Sequence, residues 1–492
     1  MNILLVNPKY PETFWSFKHV LRFISKKAAF PPLGLLTVAA LLPGGWRKRV
    51  LDLNVEPLTP EALDWADLVF VGAMLVQKDS AQEAIFQAKA AGKRVVGGGP
   101  AFTAAPELFI GVDHFVLNEA EVTLPLFVRD FLAGTPQPRY SSDEKPDIAK
   151  TPAPLWSLIR MKHYATMSVQ FSRGCPFNCE FCDIIVMNGR VPRTKSPAQL
   201  LGELEGLRKA GWRGSVFIVD DNFIGNKDKV KALLRELIAW QKARRYPFTF
   251  FTEASLNLAQ DEDLMRLMSA ANFHKVFLGI ETPSLESLKE CSKHQNTTMD
   301  LARAVNAIQA NGMQVMAGFI VGFDSDTERI FEAQLQFIQK IGVVTAMVGM
   351  LAALPGTRLW RRLQAEDRLL GETSGENTDG SLNFIPKMGV DTLVQGYKEL
   401  VNSLYSPKVY YARVNTFLKN YRPTVFSRVS WSETKALFRS FWTIGLRSGS
   451  RFLYWKLILK TLFTKFKAFP TAVEMAICGL HFEKCAKKMQ ED

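Results

Sequence analysis

The chain has 492 residues, 47% of them hydrophobic and 22% charged, with a formal net charge of +13. That composition excludes a disordered polypeptide, and at about 150 residues per domain it allows roughly three packed units. Six cysteines in so long a chain exclude a disulfide framework and fit a reducing compartment, so a cytoplasmic location is expected.

Residues 1–134 alternate β-rich and helical runs. Strands are expected at 2–7, 49–54, 68–74, 94–97 and 114–118, with helices at 33–42, 80–91, 103–109 and 121–132. This α/β rhythm describes a doubly wound parallel sheet, a Rossmann-like domain. No basic leader precedes the first apolar run, so no signal peptide is expected. Ligands of such sheets sit at strand carboxyl ends, which makes the loops after Val6, Val71 and Val96 the first candidate site. Gly97-Gly98-Gly99-Pro100 lets backbone approach a bound group, while the G-x-G-x-x-G of dinucleotide sites is absent. His114 lies within a strand and reads as a core residue. The uncharged runs 28–46 and 341–357 are broken by proline and glycine, and neither is expected to span a membrane. Glycine and prolines over 135–164 mark a linker.

From 165 to 365 strands are expected at 167–171, 215–219, 248–252, 275–279, 314–320 and 343–351, separated by helices at 197–210, 227–242, 261–271 and 298–311. They make a partial (β/α)6 barrel of TIM type, with reactive groups at the strand carboxyl ends. The first of those ends opens the loop Ser172-Arg-Gly-Cys-Pro-Phe-Asn-Cys-Glu-Phe-Cys-Asp183. Cys175, Cys179 and Cys182 stand in it at a C-x3-C-x2-C spacing. A four-iron, four-sulfur cluster ordinarily takes four cysteines, so three leave one iron open. Zinc is the alternative, but structural zinc wants four closed ligands and no second cysteine pair follows at ribbon spacing. Asp220, Asp221 and Asn222 close the second strand, Glu253 the third and Glu281 the fourth, while Gly318-Phe-Ile-Val-Gly322 belongs to the fifth. Each carboxylate alone serves equally as a helix cap, and their recurrence is what points to a site. A paired-carboxylate hydrolase is the generic rival, and it leaves the cysteines unexplained.

Residues 366–492 are expected to form a mainly helical, basic region. A polar loop at 367–389 would lie over the barrel mouth. Residues 409–492 carry 15 Lys and Arg against 5 Asp and Glu, a balance of +10. Aromatic residues interleave there with cations, a pattern that suits either a membrane surface or a solvated helical face. Cys291, Cys478 and Cys485 read as packing residues.

The cysteine spacing, with Phe181 before the last cysteine, resembles the radical S-adenosylmethionine superfamily. Over roughly residues 1–400, Phe30-Pro-Pro-Leu-Gly-Leu-Leu, the cysteine loop and Val219-Asp-Asp-Asn-Phe-Ile-Gly-Asn226 resemble its cobalamin-dependent members close to the hopanoid 2-methyltransferases. The resemblance implies cluster ligation by Cys175, Cys179 and Cys182, with S-adenosylmethionine chelated at the open iron beside Phe181. It implies Asp220 and Asp221 on the amine side, Glu253 and Glu281 on the ribose or amine, and Gly318, Ile320 and Gly322 on the adenine, with Asn222 also among the cofactor-binding residues. Gly98-Gly99-Pro100 and Asn118-Glu-Ala-Glu-Val-Thr123 resemble the cobalamin-binding segments, Asn118 replacing the usual glycine. Cobalamin is thus expected over Met74, Leu75 and Gln77, with Asn7, Gly98, Gly99, Pro100, Asn118, Glu119 and Glu121 around it. The Asp-x-His-x-x-Gly motif is absent, so a histidine beneath the cobalt is not expected.

The implied activity is methyl transfer from S-adenosylmethionine through methylcobalamin to an unactivated carbon of a hopanoid-like lipid or other small molecule. An electron donor such as flavodoxin or ferredoxin is implied with it. The rivals are a cobalamin-dependent cyclase or rearrangement enzyme and a radical enzyme that modifies RNA, though nucleic acid is not the expected partner. For the basic tail the expectation is peripheral contact at the inner face of the membrane.

Overall fold

A computed structural model describes residues 1–376, 379–424 and 431–491. Its first sheet comprises β1 (Asn2–Asn7), β2 (Arg47–Asp52), β3 (Leu68–Gly72), β4 (Arg94–Gly98), β5 (His114–Val116) and β6 (Arg139–Tyr140), all parallel in the order β2-β1-β3-β4-β5-β6. Alternation along β1 assigns its side chains to two helical layers. Ile3 and Leu5 join Leu35, Leu36, Leu124 and Phe127, whereas Leu4 and Val6 join Ala81, Ile85 and Phe102. That is the doubly wound sandwich expected, with both faces covered. Strand order reverses beside β1, which opens a crevice at the carboxyl ends of β1 and β3.

Three local expectations change. The helix expected at 103–109 is Pro100–Ala104 followed by a 3-10 turn at Pro106–Leu108, since Pro106 has no N–H to continue the first helix. A helix at Pro60–Trp65 was not anticipated, although Thr59 caps it by accepting from the Ala62 N–H and Pro60 stands in its first turn. The stretch 135–164 is also more than a strap. It adds β6 to the first sheet, and the Tyr164 hydroxyl donates to Asp52 Oδ2 at 3.0 Å. His114 Nδ1 lies 2.8 Å from the Gln137 carbonyl, a satisfied core histidine.

The second sheet holds β7 (Met167–Val169), β10 (Gly214–Ile218), β11 (Phe248–Ala254), β12 (Phe273–Glu281), β13 (Gln314–Val321) and β14 (Thr345–Met350), parallel in chain order. The helices Pro197–Lys209, Lys227–Ala243, Glu262–Ala270, Leu301–Ala310 and Arg329–Ile341 wrap it as a six-stranded partial barrel. Between β7 and β10 a small antiparallel hairpin, β8 (Ser172–Arg173) with β9 (Arg193–Thr194), carries the cysteine loop.

The tail helices cover what the open barrel leaves bare. Along β14, Tyr397 donates its hydroxyl to the Val348 carbonyl at 3.1 Å and Tyr405 donates to the Ala346 carbonyl, which satisfies an edge that would otherwise be unpaired. The final helix, Phe469–Glu491, lies beneath the barrel, where Glu474 pairs with Lys275 near the start of β12. Arg413 is fully buried, with its guanidinium 5.4 Å from the rings of both Tyr405 and Tyr410. The loop expected over the mouth runs from Asp367 to Gly389, and its residues 377 and 378 lie outside the described residues. Among the described residues no helix is long and apolar enough to cross a membrane.

Gly479 lets the final helix approach Tyr410. A β-carbon there would stand 2.4 Å from the Tyr410 ring, which is itself fixed by its hydroxyl donating to the Met475 carbonyl at 2.7 Å. Gly479→Ala is expected to cost about 1–3 kcal/mol through overpacking. Chemical denaturation of the two proteins measures it, and an unchanged midpoint would show that the contact yields.

Candidate active site

The cysteine loop is tied down from β10 outward. Asp220, at the carboxyl end of β10, accepts from Phe171 N at 2.7 Å, Ser172 N at 2.8 Å and Ser172 Oγ at 2.7 Å. Asp221 accepts from Gly174 N at 2.8 Å and Asn188 Nδ2 at 3.0 Å. Asn222 donates to Ser255 Oγ at 3.2 Å and points the same amide at Cys175 Sγ, 3.7 Å away. These three residues, expected at S-adenosylmethionine, tie the loop to β10. Burial pushes the Asp220 carboxyl up to about 7 even though three donors oppose the shift.

The turn into the loop requires glycine. Gly174 has φ +95°, and a β-carbon there would stand 2.9–3.2 Å from the carbonyl oxygens of Gly189, Val191 and Asn188. Cys179 is buried, Cys175 and Cys182 are half-buried, and Gln295 donates toward Cys179 Sγ from 3.8 Å. Phe181 packs 6.3 Å from the Phe323 ring, and Lys293 Nζ lies 6.0 Å from the Phe181 ring.

Glu281 and Glu253 differ. Glu281, at φ +66°, pairs with Lys293. Burial opposes the charge on Lys293, but the Glu281 carboxylate and the Cys179 thiol beside it hold its pKa above the usual lysine range. Gly279 leaves room for this pair, since a β-carbon there would stand 2.4 Å from Glu281 Oε1 and 2.5 Å from Lys293 Nζ. Glu253 has no donor on its carboxylate among the described residues. Burial, reinforced by Asp221 and Asp220, pushes it up to about 7.

Of the residues expected around adenine, Gly318 lies against the Phe277 ring, which a β-carbon would approach to 3.3 Å. The Ile320 carbonyl accepts from Gln334 at 3.1 Å. Gly322, at φ +101°, donates its N–H to Asp326 at 2.9 Å and lets Leu393 of the tail come close.

In the first domain most of the polar residues expected at cobalamin are otherwise engaged. Asn7 donates to Asp52 at 2.9 Å, and Gln77 donates to the Pro8 carbonyl while accepting from Met74 N. Asn118, at φ +61°, donates its N–H to Thr103 Oγ1 at 2.9 Å. Glu119 and Glu121 form an ion-pair cluster with the hairpin: Arg173 meets each of them at 2.8 Å, and Arg193 meets Glu119 at 2.8 Å. They join the first domain to the hairpin. What remains at the carboxyl ends of the first sheet is Met74, half exposed, with Leu75 and the Gly98-Gly99-Pro100 turn. A cavity of about 460 Å³ opens there, lined by Leu75, Ala105, Leu108, Trp360, Leu370 and Thr373 among others.

The radical SAM superfamily profile matches residues 169–338, a B12 binding domain residues 23–128, and a domain of unknown function residues 357–492. An uncharacterized methyltransferase of Synechocystis sp. is 46% identical over 92% of this chain and 86% of its own length. The hopanoid C-2 methylase of Rhodopseudomonas palustris is 33% identical over 94% of this chain and 89% of its own. The chain belongs to the cobalamin-binding radical S-adenosylmethionine methyltransferases. Two solved structures share the fold. The cobalamin-dependent S-adenosylmethionine radical enzyme OxsB matches with a TM-score of 0.65 at 14% identity, over 100% of this chain and 80% of its own. The radical S-adenosylmethionine methyltransferase TsrM from Kitasatospora setae matches with 0.61 at 14% identity, over 100% of both chains.

As a radical S-adenosylmethionine methyltransferase, the chain has a 4Fe-4S cluster, S-adenosylmethionine and cobalamin as cofactors. The residues present fit them. Among the described residues no three His, Cys, Asp or Glu side chains gather around a single metal ion. A cluster asks for a wider set, since each thiolate takes a separate iron. Glu253 is a lone carboxylate at a strand end, crowded by two others, and suits a cationic ligand group. The cavity beside Leu75 offers an apolar wall for a corrin edge.

Sequence reasoning missed Arg173, Arg193, Lys293, Gln295 and Ser255. Arg173 adjoins the cysteine motif; Arg193 lies on the two-residue β9 and Gln295 in a 3-10 turn, while Lys293 and Ser255 lie in loops with no periodic signal.

The lone carboxylate gives a pH signature. An ordinary glutamate ionises near 4.5, so the unfolded chain loses this proton first while the folded protein keeps it to about 7. Stability is therefore lost progressively as pH rises between those values. Glu253→Gln is expected to raise the melting midpoint of the cofactor-free protein above pH 7 and to leave it unchanged below pH 4.5. A shift of equal size at both pH values would remove the assignment.

Proposed function

We propose that the protein methylates an unactivated carbon of a hopanoid-like lipid or a related apolar small molecule, working in the cytoplasm or at the inner face of the membrane with a flavodoxin or ferredoxin as electron donor. The carrying observation is the three-cysteine loop held by Asp220, Asp221 and Asn222 and offering no fourth cysteine of its own. The lipid assignment is supported by the 33% identity to a hopanoid C-2 methylase, which runs through 94% of this chain.

The division of labour follows residues 1–134 for cobalamin, 135–164 as connector, 165–365 for the radical chemistry and 366–492 as helical cap. Cys175, Cys179 and Cys182 are the cluster ligands in this reading, with Phe181 beside them. Bound together, the cofactors supply a carbon radical that removes a substrate hydrogen and a methyl group that replaces it. The chain positions and shields that chemistry. Asn222 and Gln295 direct N–H groups at two of the sulfurs. The Glu253 carboxylate takes the cationic part of S-adenosylmethionine, and Gly318, flat against the Phe277 ring, stays on the adenine side. Met74, Leu75 and the Gly98-Gly99-Pro100 turn form the cobalamin side.

The described part of the loop from Asp367 to Gly389, which follows a helix at Arg358–Ala365, excludes water from the mouth. Arg368 pairs with Asp324 at 2.6 Å, Asn383 donates to the Ala353 carbonyl at 2.7 Å, and Gly375 lies against Leu75 and Val76. A closed site protects a primary carbon radical from competing hydrogens.

Anaerobically reconstituted protein supplied with methyl-labelled S-adenosylmethionine, a reductant and a hopanoid is expected to label first the corrinoid and then the lipid. Cys182→Ala should abolish release of 5'-deoxyadenosine. Deoxyadenosine release without label in the corrinoid would instead indicate a cyclase or rearrangement enzyme, and labelled corrinoid with unlabelled lipid would overturn the substrate assignment alone.

A further inference from the structure

Two tail helices leave matching stripes of large apolar side chains uncovered. On Arg451–Thr464, Phe452, Leu459 and Phe463 recur at the spacing of one helical face, with Lys456 between them. Phe452 is 75% and Phe463 81% exposed, while Tyr454, Leu457, Ile458 and Thr461 bury the opposite face. The helix Trp431–Ser440 and the π turn Phe441–Leu446 that continues it repeat the pattern with Trp431, Phe438 and Trp442, which are 72%, 64% and 56% exposed. The two segments are packed together. Phe441 stacks on Trp455 at 5.3 Å, Ser440 Oγ lies 2.7 Å from the Tyr454 hydroxyl, and Trp455 Nε1 donates to the Gly445 carbonyl at 3.0 Å.

An exposed apolar patch of this kind marks a surface that meets something. Charge identifies the occupant. Residues 431–468 carry eight Lys and Arg and one acidic residue, Glu433. A second copy of the chain would set like charges against each other. A bilayer bearing anionic lipid matches both halves of the pattern, since aromatic rings settle at the headgroup boundary while flanking cations meet phosphates. Among the described residues no helix is long and apolar enough to span, so the contact lies in the membrane plane.

We propose that this face of the tail docks the protein on an anionic lipid bilayer, with the two helices parallel to its surface and Phe452, Phe463, Phe438 and Trp442 entering the headgroup region. The proposal stands whether or not the methylated substrate is a lipid. Both segments pack on the final helix, which meets the barrel near the start of β12, whereas the cysteine loop lies at the strand carboxyl ends.

Flotation of the reconstituted holoprotein with vesicles of phosphatidylethanolamine and phosphatidylglycerol tests this, with pure phosphatidylcholine vesicles and a structured RNA as comparators across a salt series. The wild-type protein is expected to float with the anionic vesicles at low salt, with a blue shift of tryptophan fluorescence. The double variant Phe452→Glu, Phe463→Glu is expected to lose binding at least about tenfold, given the transfer cost of two buried rings. Its release of 5'-deoxyadenosine in solution should match the wild type, which separates loss of docking from loss of catalysis. Failure of the wild type to float at low salt, undiminished flotation of the double variant, or retention of RNA in place of vesicles would each overturn the proposal.

Discussion

Three consecutive side chains at the end of β10 hold the chemistry of this protein in place. A loop that presents three thiols to a cluster has little secondary structure of its own, and its backbone N–H groups must find acceptors elsewhere. Asp220 accepts from Phe171 and Ser172, Asp221 from Gly174, and Asn222 turns toward Cys175. Because β10 is paired on both sides, with β7 and β11, its end is among the more rigid positions available. The loop inherits that rigidity, and its three thiols are held in fixed places rather than fluctuating ones.

A second constraint sets the distance between the two domains. Glu119 and Glu121 begin the helix after β5, and Arg173 and Arg193 belong to the hairpin that carries the cysteine loop. Their side chains are 7–16% exposed, so solvent screens the ion pairs little. Buried charges of this kind are weak evidence for net stability but strong evidence for register, because separating the partners leaves each charge unpaired. The cluster loop thus cannot shift without the first domain following it. That is what a reaction requires when a hydrogen must be removed and a methyl group delivered at one carbon.

Much of this was legible in the chain. Apolar runs gave the strands of both sheets other than β6 to within a few residues, because burial on both faces writes a continuous apolar run bounded by turns. The cysteine spacing pointed to a cluster because few other chemistries use three thiols so placed. The strand-end acids were harder. A carboxylate after a strand reads the same whether it faces a ligand, as Glu253 does in our proposal, or accepts from neighbouring backbone, as Asp220 does. Only the fold separates the two. The Glu119 and Glu121 motif was likewise visible, but its partners Arg173 and Arg193 are 54 and 74 residues from Glu119 and carry no local sign of the pairing.

The contrast between the two ends of the barrel orders the remaining features. At the amino-terminal ends Lys275 is answered by Glu474, and the tail closes the floor as a structural cap. At the carboxyl ends Asp220, Asp221, Glu281, Asp324 and Asp326 all have donors, while Glu253 has none among the described residues. Glu253 is partly buried and crowded by Asp220 and Asp221, so its carboxylate leans on solvent where its neighbours have donors from the protein. Such an exception persists where a ligand completes it. The same reasoning applies to the exposed rings of the tail, since chain that buries Tyr454 and Leu457 on one helical face while leaving Phe452 and Phe463 bare on the other has left that face for something outside itself.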